Sequence, residues 1–212
     1  MQTLNLNQFI ARQTDPNAGY AGRFSSVIYT LPALDIKTGP WLAGGSLRRL
    51  FDGSDKESDF DLFFSSELQL QDYKAELLNR GGTIQYENDL NVTMNIAPPI
   101  VGDLFQMPIK PFKLQLIKIY FSSAEEVLEW FDFTLCQFLT DKETLMVGDY
   151  TLYDTASKRV RLNTLHHAVS SVRRMLKYGR QGYTVCDGTI QELLERVSKN
   201  PELIQAPVKY ID

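Results

Sequence analysis

Residues 41–64, WLAGGSLRRLFDGSDKESDFDLFF, set a short apolar run, a Gly-Gly-Ser turn opening a helix over residues 47–51, a charged loop, and a strand carrying Asp59 and Asp61 in that order. Each part has a physical use. Gly44 and Gly45 let the backbone approach an anion, the Ser46 hydroxyl and the free amides of a helix start bind anionic oxygens, and Arg48 and Arg49 add positive charge. Along a strand, residues two apart share a face, so Asp59 and Asp61 stand together while Phe60 and Leu62 enter the core. Two hard oxygen donors suit Mg²⁺, which leaves its other positions to water and phosphate. Separately, a Gly-Gly-Ser turn is an ordinary helix start and Asp-X-Asp is common in solvated turns. Their order and the strand pattern make the combination informative.

Outward from this stretch, 212 residues suffice for a sizeable core, and 43% hydrophobic with 11% aromatic residues describes a folded chain. No run reaches the roughly 20 apolar residues of a membrane helix, and MQTLNLNQFI lacks a signal-peptide layout, so a cytosolic setting is expected. Cys136 and Cys186 sit among apolar residues without CxxC spacing, which predicts buried free thiols. Net charge is −4, yet residues 156–183 hold seven basic residues (Lys158, Arg159, Arg161, Arg173, Arg174, Lys177, Arg180) and no acid. That segregation reads either as a patch for polyphosphate, RNA or DNA, or as a solvated helix face.

The local pattern predicts a helical lead-in over residues 1–40, with a short helix around Leu4, Phe9 and Ile10, then Phe24, Val27, Ile28 and Leu31 at helical spacing before Pro32. A helix is expected over residues 67–79, capped by Ser65 or Ser66, with Leu70, Tyr73, Leu77 and Leu78 buried. Short strands follow at 83–86 and 91–96, then a loop marked by Pro98, Pro99, Pro108 and Pro111, and a buried strand at 112–120. Ser122-Ser-Ala-Glu-Glu starts a further helix. Near the C-terminus a helix ends at Gly179 to Gly182, with Leu165, Val169, Val172 and Leu176 as its buried stripe and His166, Ser170, Arg173 and Lys177 on the adjoining face. Another helix spans 189–197 before Asn200-Pro201.

The Gly-Gly-Ser and Asp-X-Asp elements resemble the signature of the DNA polymerase beta superfamily of nucleotidyltransferases. Residues 130–139, WFDFTLCQFL, resemble the Arg-Arg-Asp-Phe-Thr-Ile-Asn-Ala element of the CCA-adding and bacterial poly(A) polymerase group, with Asp132, Phe133 and Thr134 in place. The two arginines are here Trp130 and Phe131, and the asparagine is Cys136. More faintly, residues 154–161 and 165–189 resemble the family's connection into the neck and its neck helix. The match covers residues 41–190.

The resemblance implies an α/β (α+β) fold: a nucleotidyltransferase head with a small mixed β-sheet flanked by helices, residues 1–155, and a short helical neck-like portion, residues 156–212. It implies Mg²⁺- or Mn²⁺-dependent transfer of a nucleoside monophosphate from an NTP to an acceptor hydroxyl such as an RNA or DNA end. Asp59 and Asp61 would hold the metal; Gly44, Gly45, Ser46, Arg49 and Lys56 would serve the nucleotide. Gln115, Asp132, Arg173, Arg174 and Lys177 are further candidates.

Where the family carries a third carboxylate this chain has Gln115, which offers a neutral carbonyl and cannot act as a general base. Three readings stay open: catalysis with two carboxylates and a neutral ligand, substitution by another acid (Glu87, Asp89 or Asp132), or loss of catalysis. Asp132 reads equally as a site residue or as a polar group fixing a turn. The functional alternatives are a silent module binding a nucleotide, nucleic acid or protein, and a transferase acting on a small molecule or a protein.

Overall fold

The computed structural model describes residues 1–11, 19–52, 58–97 and 111–205. In chain order the first half comprises β1 (Gln2–Asn5), α1 (Leu6–Ala11), α2 (Gly19–Thr30), β2 (Trp41–Ala43), α3 (Gly45–Asp52), β3 (Phe60–Phe64), α4 (Glu67–Asn79), β4 (Thr83–Glu87) and β5 (Asn91–Ile96). Then come β6 (Phe112–Tyr120), α5 (Ala124–Trp130), a 3-10 turn (Thr134–Cys136), β7 (Phe138–Thr140), β8 (Thr144–Val147), α6 (Thr151–Ala156) and β9 (Arg159–Val160). The described chain finishes with α7 (Ala168–Arg180), β10 (Thr184–Val185), α8 (Asp187–Lys199) and α9 (Glu202–Gln205).

Strands β1 to β8 form one mixed sheet in the order β1-β8-β7-β2-β3-β6-β5-β4. The pair that matters most is β3 beside β6, parallel, with Asp61 opposite Gln115. Period-two alternation divides the sheet residues between two apolar layers. On one side Leu42, Phe60, Leu62, Leu114 and Leu116 pack with Phe24 and Val27 of α2 and Leu70 and Leu77 of α4. On the other, Trp41, Ala43, Phe63 and Ile117 pack with Val127 and Leu128 of α5. A separate cluster joins Phe133 and Leu135 to Val160, Met175, Tyr178 and Leu193, tying α7 and α8 to the middle of the chain. Each fully buried Leu or Phe contributes about 1.5–3 kcal/mol from removal of apolar surface from water.

Helix starts follow from the sequence. Ser66 caps α4, its Oγ accepting from Gln69 N at 3.2 Å, and Ser123 caps α5, accepting from Glu126 N at 3.3 Å. The Glu126 carboxylate returns to Ser122 N at 2.6 Å, closing a reciprocal box.

Several expectations need correction. The lead-in is not purely helical: residues 2–5 are an edge strand pairing antiparallel with β8, a partner more than 130 positions away that no local pattern announces. Leu78 is exposed, since α4 turns only Leu70, Tyr73 and Leu77 inward. The stripe of α7 is rotated: Ala168, Ser171, Met175 and Tyr178 are buried, while Val172 and Leu176 are exposed. Cys136 is buried with its thiol 2.9 Å from Tyr178 Oη, whereas Cys186 is exposed at the start of α8. A two-stranded parallel pair, β9 with β10, had no signal because two residues are too few for alternation. Among the described residues no helix is long and apolar enough to cross a membrane.

Candidate active site

The turn between β2 and α3 brings the backbone to the carboxylates. Gly44 takes φ +87°, donates its amide to Phe138 O at 2.9 Å and accepts from Arg48 N at 3.3 Å. A Cβ there would stand 3.3 Å from the Phe131 ring and 3.7 Å from Asp61 Oδ2. Gly44→Ala is therefore expected to cost about 1–3 kcal/mol through left-handed strain and to crowd the Phe131 ring. A melting temperature within 1 °C of wild type would refute this.

Asp59 lies immediately before β3 and Asp61 inside it, on the side of the sheet that also carries Phe63. Burial first, and the Asp59 charge second, push the Asp61 carboxyl up to about 7, with Lys177 pulling the other way. Gln115 Nε2 donates to Asp59 Oδ2 at 3.1 Å, and Asn91 Nδ2 reaches Gln115 Oε1 at 3.5 Å. The amide thus stands where a third acid was sought and holds Asp59 from the neighbouring strand.

These groups open into a cavity of about 400 Å³. Gly45, Arg48, Arg49 and Ser58 line it from the α3 side, Asp59, Asp61 and Gln115 from the sheet, and Arg173, Arg174 and Lys177 from α7. Trp130, Phe131, Asp132, His166 and Tyr178 are also in the wall. Cations from two helices therefore face two carboxylates across one volume, an arrangement suited to a polyanion with a divalent cation. Among the described residues no group of three or more His, Cys, Asp or Glu could hold a metal alone. Two carboxylates, one of them poorly solvated and beside a like charge, fit Mg²⁺ whose other positions go to water and phosphate.

Most of the residues singled out from sequence meet here; the exceptions are Gly44, which does not line the cavity although its neighbour Gly45 does, Ser46, and Lys56. Ser46 is fully buried with its hydroxyl unpartnered, and it is not part of the cavity wall. Ser58 does line the cavity, its Oγ 3.1 Å from where a Gly45 Cβ would be. Lys56 lies outside the described residues. Asp132 faces the cavity, yet its Oδ2 accepts from Ser171 Oγ at 2.9 Å and Arg174 Nε at 2.7 Å, which docks α7. Of the substitutes for the third acid, Glu87 pairs with Lys74 at 2.7 Å and Lys118 at 2.8 Å, and neither it nor Asp89 lines the cavity.

The basic segment divides. Arg161 pairs with Asp154 at 3.0 Å and covers Tyr150, and Lys158 lies 3.8 Å from Asp52 and over Tyr183, while Arg173, Arg174 and Lys177 turn to the cavity. Arg48 holds a central place. Its guanidinium lies over Tyr178 at 4.8 Å and Tyr183 at 5.2 Å and donates to Gln181 at 2.9 Å, joining α3 to α7. No sequence pattern indicated Ser58 for the wall, whereas His166, Ser170, Arg173 and Lys177, read from sequence as one face, all line it.

The fold is that of nucleotidyltransferases. The Thermotoga maritima CCA-adding enzyme complexed with tRNA is similar with a TM-score of 0.60 at 16% identity, over 94% of this chain and 47% of that one. A CCA-adding enzyme complexed with ATP gives 0.58 at 16%, over 95% and 48%. A tRNA nucleotidyltransferase with a primer tRNA and an incoming ATP analog gives 0.52 at 21%, over 79% and 48%. The chain spans about half the length of these structures. No curated protein sequence matches it. A family model matches residues 20–158, two thirds of the sequence, and on that match the chain belongs to the Gad2 family, the Gabija anti-defense 2 family proteins.

Proposed function

We propose that this protein is a metal-dependent nucleotidyltransferase that moves a nucleoside monophosphate from an NTP to an acceptor, using the activity against a component of the Gabija defence. The observation that carries this is the convergence of Asp59 and Asp61 with the cationic residues of α3 and α7 on one cavity. Mg²⁺ bound by Asp59 and Asp61 would neutralise phosphate charge. Arg48, Arg49, Arg173, Arg174 and Lys177 supply fixed positive charge for the triphosphate and the departing pyrophosphate, and the Gly44–Gly45 backbone admits phosphate oxygens. Gln115 orients Asp59. The similar structures bind ATP, CTP and tRNA, which supports a nucleotide substrate. The family description supports testing a defence component as acceptor ahead of a nucleic-acid end or a small molecule.

The test is incubation with each α-labelled NTP and Mg²⁺ or Mn²⁺, with Gabija proteins, RNA and DNA as acceptors, beside Asp59→Asn/Asp61→Asn. Label moved by wild type alone supports the transferase and reports the acceptor. A second reading, a catalytically silent binder, is favoured by the Gln115 to Asp59 hydrogen bond, which occupies an oxygen that a metal would use. Gln115→Glu separates the two. In a transferase it returns an acid to the site and is expected to change the rate about tenfold in either direction. Anti-defense activity that survives both Asp→Asn changes and ignores Gln115→Glu would establish the silent binder.

A further inference from the structure

Trp130 ends α5 at the cavity wall with 38% of its surface exposed, high for the largest apolar side chain in a chain that buries Trp41 completely. Two neighbouring rings hold it in place, one of them, His166, also in the cavity wall. His166 stacks on it at 3.7 Å between centroids and 21° between planes, hydrogen-bonding to the Trp130 main chain, and Phe121 meets it edge-on at 5.7 Å. Burial lowers the His166 pKa, which keeps the backing ring neutral near pH 7. The same cavity holds Arg173, Arg174 and Lys177. A cavity with cationic residues and a rigid, partly exposed aromatic plane matches a molecule with a polyanionic end and a planar aromatic end.

We propose that Trp130, backed by His166, is the stacking platform for the base of the bound nucleoside triphosphate, so that the base is held by its π-face and not selected by hydrogen bonds to its edge. This rests on the nucleotide-binding reading above. Every base has a π-face, so the platform admits all four with purines favoured over pyrimidines by overlap area. It predicts a broad nucleotide preference.

The test uses non-hydrolysable NTP analogues, so it is independent of turnover. Tryptophan emission is followed in a titration, with binding measured in parallel by calorimetry; Trp41 is sealed in the core, so a change on binding reports Trp130. The ATP analogue is expected to quench wild-type emission. Trp130→Ala should weaken its binding about tenfold or more, and Trp130→Phe should bind within about threefold while losing the quench. Inorganic triphosphate, which has no ring, should bind wild type and Trp130→Ala alike. Analogue binding that is equal in wild type and Trp130→Ala, with no quench, overturns the platform and leaves the nucleotide site standing. No binding of any analogue overturns both.

Discussion

Asp61→Asn is expected to abolish nucleotidyl transfer while making the metal-free protein more stable than wild type at pH 8. The two effects have one origin. In the folded chain burial and the Asp59 charge raise Asp61 from 3.8 to about 7. Between these values the folded carboxyl keeps a proton that the unfolded chain has released, so native stability falls as pH rises from about 4 to about 7 and is level above that. Asparagine has no charge to bury and escapes the loss. The pKa difference caps the effect at about 4 kcal/mol; partial solvent access reduces it to the order of 2 kcal/mol, about 5 °C in melting temperature. The gap should close toward pH 4. Mg²⁺ with nucleotide should raise the wild-type melting temperature and leave the variant unmoved, and transfer should drop at least about 10²-fold. Melting curves from pH 4 to 8 with and without Mg²⁺ and nucleotide provide the check. A wild type no less stable than Asp61→Asn at pH 8, or a variant that still transfers label, would defeat the assignment.

Asp132→Ala should produce the largest loss of stability of any change at the cavity wall. One carboxylate oxygen receives both Arg174 Nε and Ser171 Oγ, and the Asp132 carbonyl also accepts from Asn163 N at 2.8 Å. Truncation leaves a guanidinium and a hydroxyl without their acceptor in a poorly solvated place, a loss of about 3 kcal/mol or more, or roughly 6–12 °C for a chain of this size. Asp132→Asn keeps the shape and should lose less. Urea unfolding of Asp132→Ala, Arg174→Met and the double variant makes the argument specific: the double variant should be no worse than Asp132→Ala, because the stranded charge is gone. Independent, additive losses would mean that the pair does not dock α7. This residue read equally from sequence as a site group or a turn-fixing group; its hydrogen bonds show how a wall residue can anchor the helix that carries three cations of the site.

Much of the head was legible because its signals are local. The helix Glu67–Asn79 carries its own cap in Ser66, and the strand Phe112–Tyr120 carries its own apolar density, so both appear where the pattern put them. The buried face of α7 departs from the sequence pattern for a reason equally plain. Val172 and Leu176 are more apolar than Ala168 and Ser171, but the small residues allow close approach, and the Ser171 to Asp132 hydrogen bond fixes the rotation. Hydrophobicity ranks side chains for burial only when no specific polar contact outweighs it. The same limit hid the stacking of Trp130 on His166, 36 positions apart, which has no sequence period.

By itself the sequence determined the order of the glycine turn, the helix and the paired carboxylates, because backbone freedom at Gly44 and the two-residue strand period act over a few neighbouring positions. Only the tertiary structure decided which charges serve that motif. Of seven clustered cations, Arg173, Arg174 and Lys177 face the carboxylates, while Arg161 and Lys158 lie against Asp154 and Asp52. Electrostatic and hydrogen-bonding partners are chosen by distance in space, and the packing of α7 against the middle of the chain sets those distances.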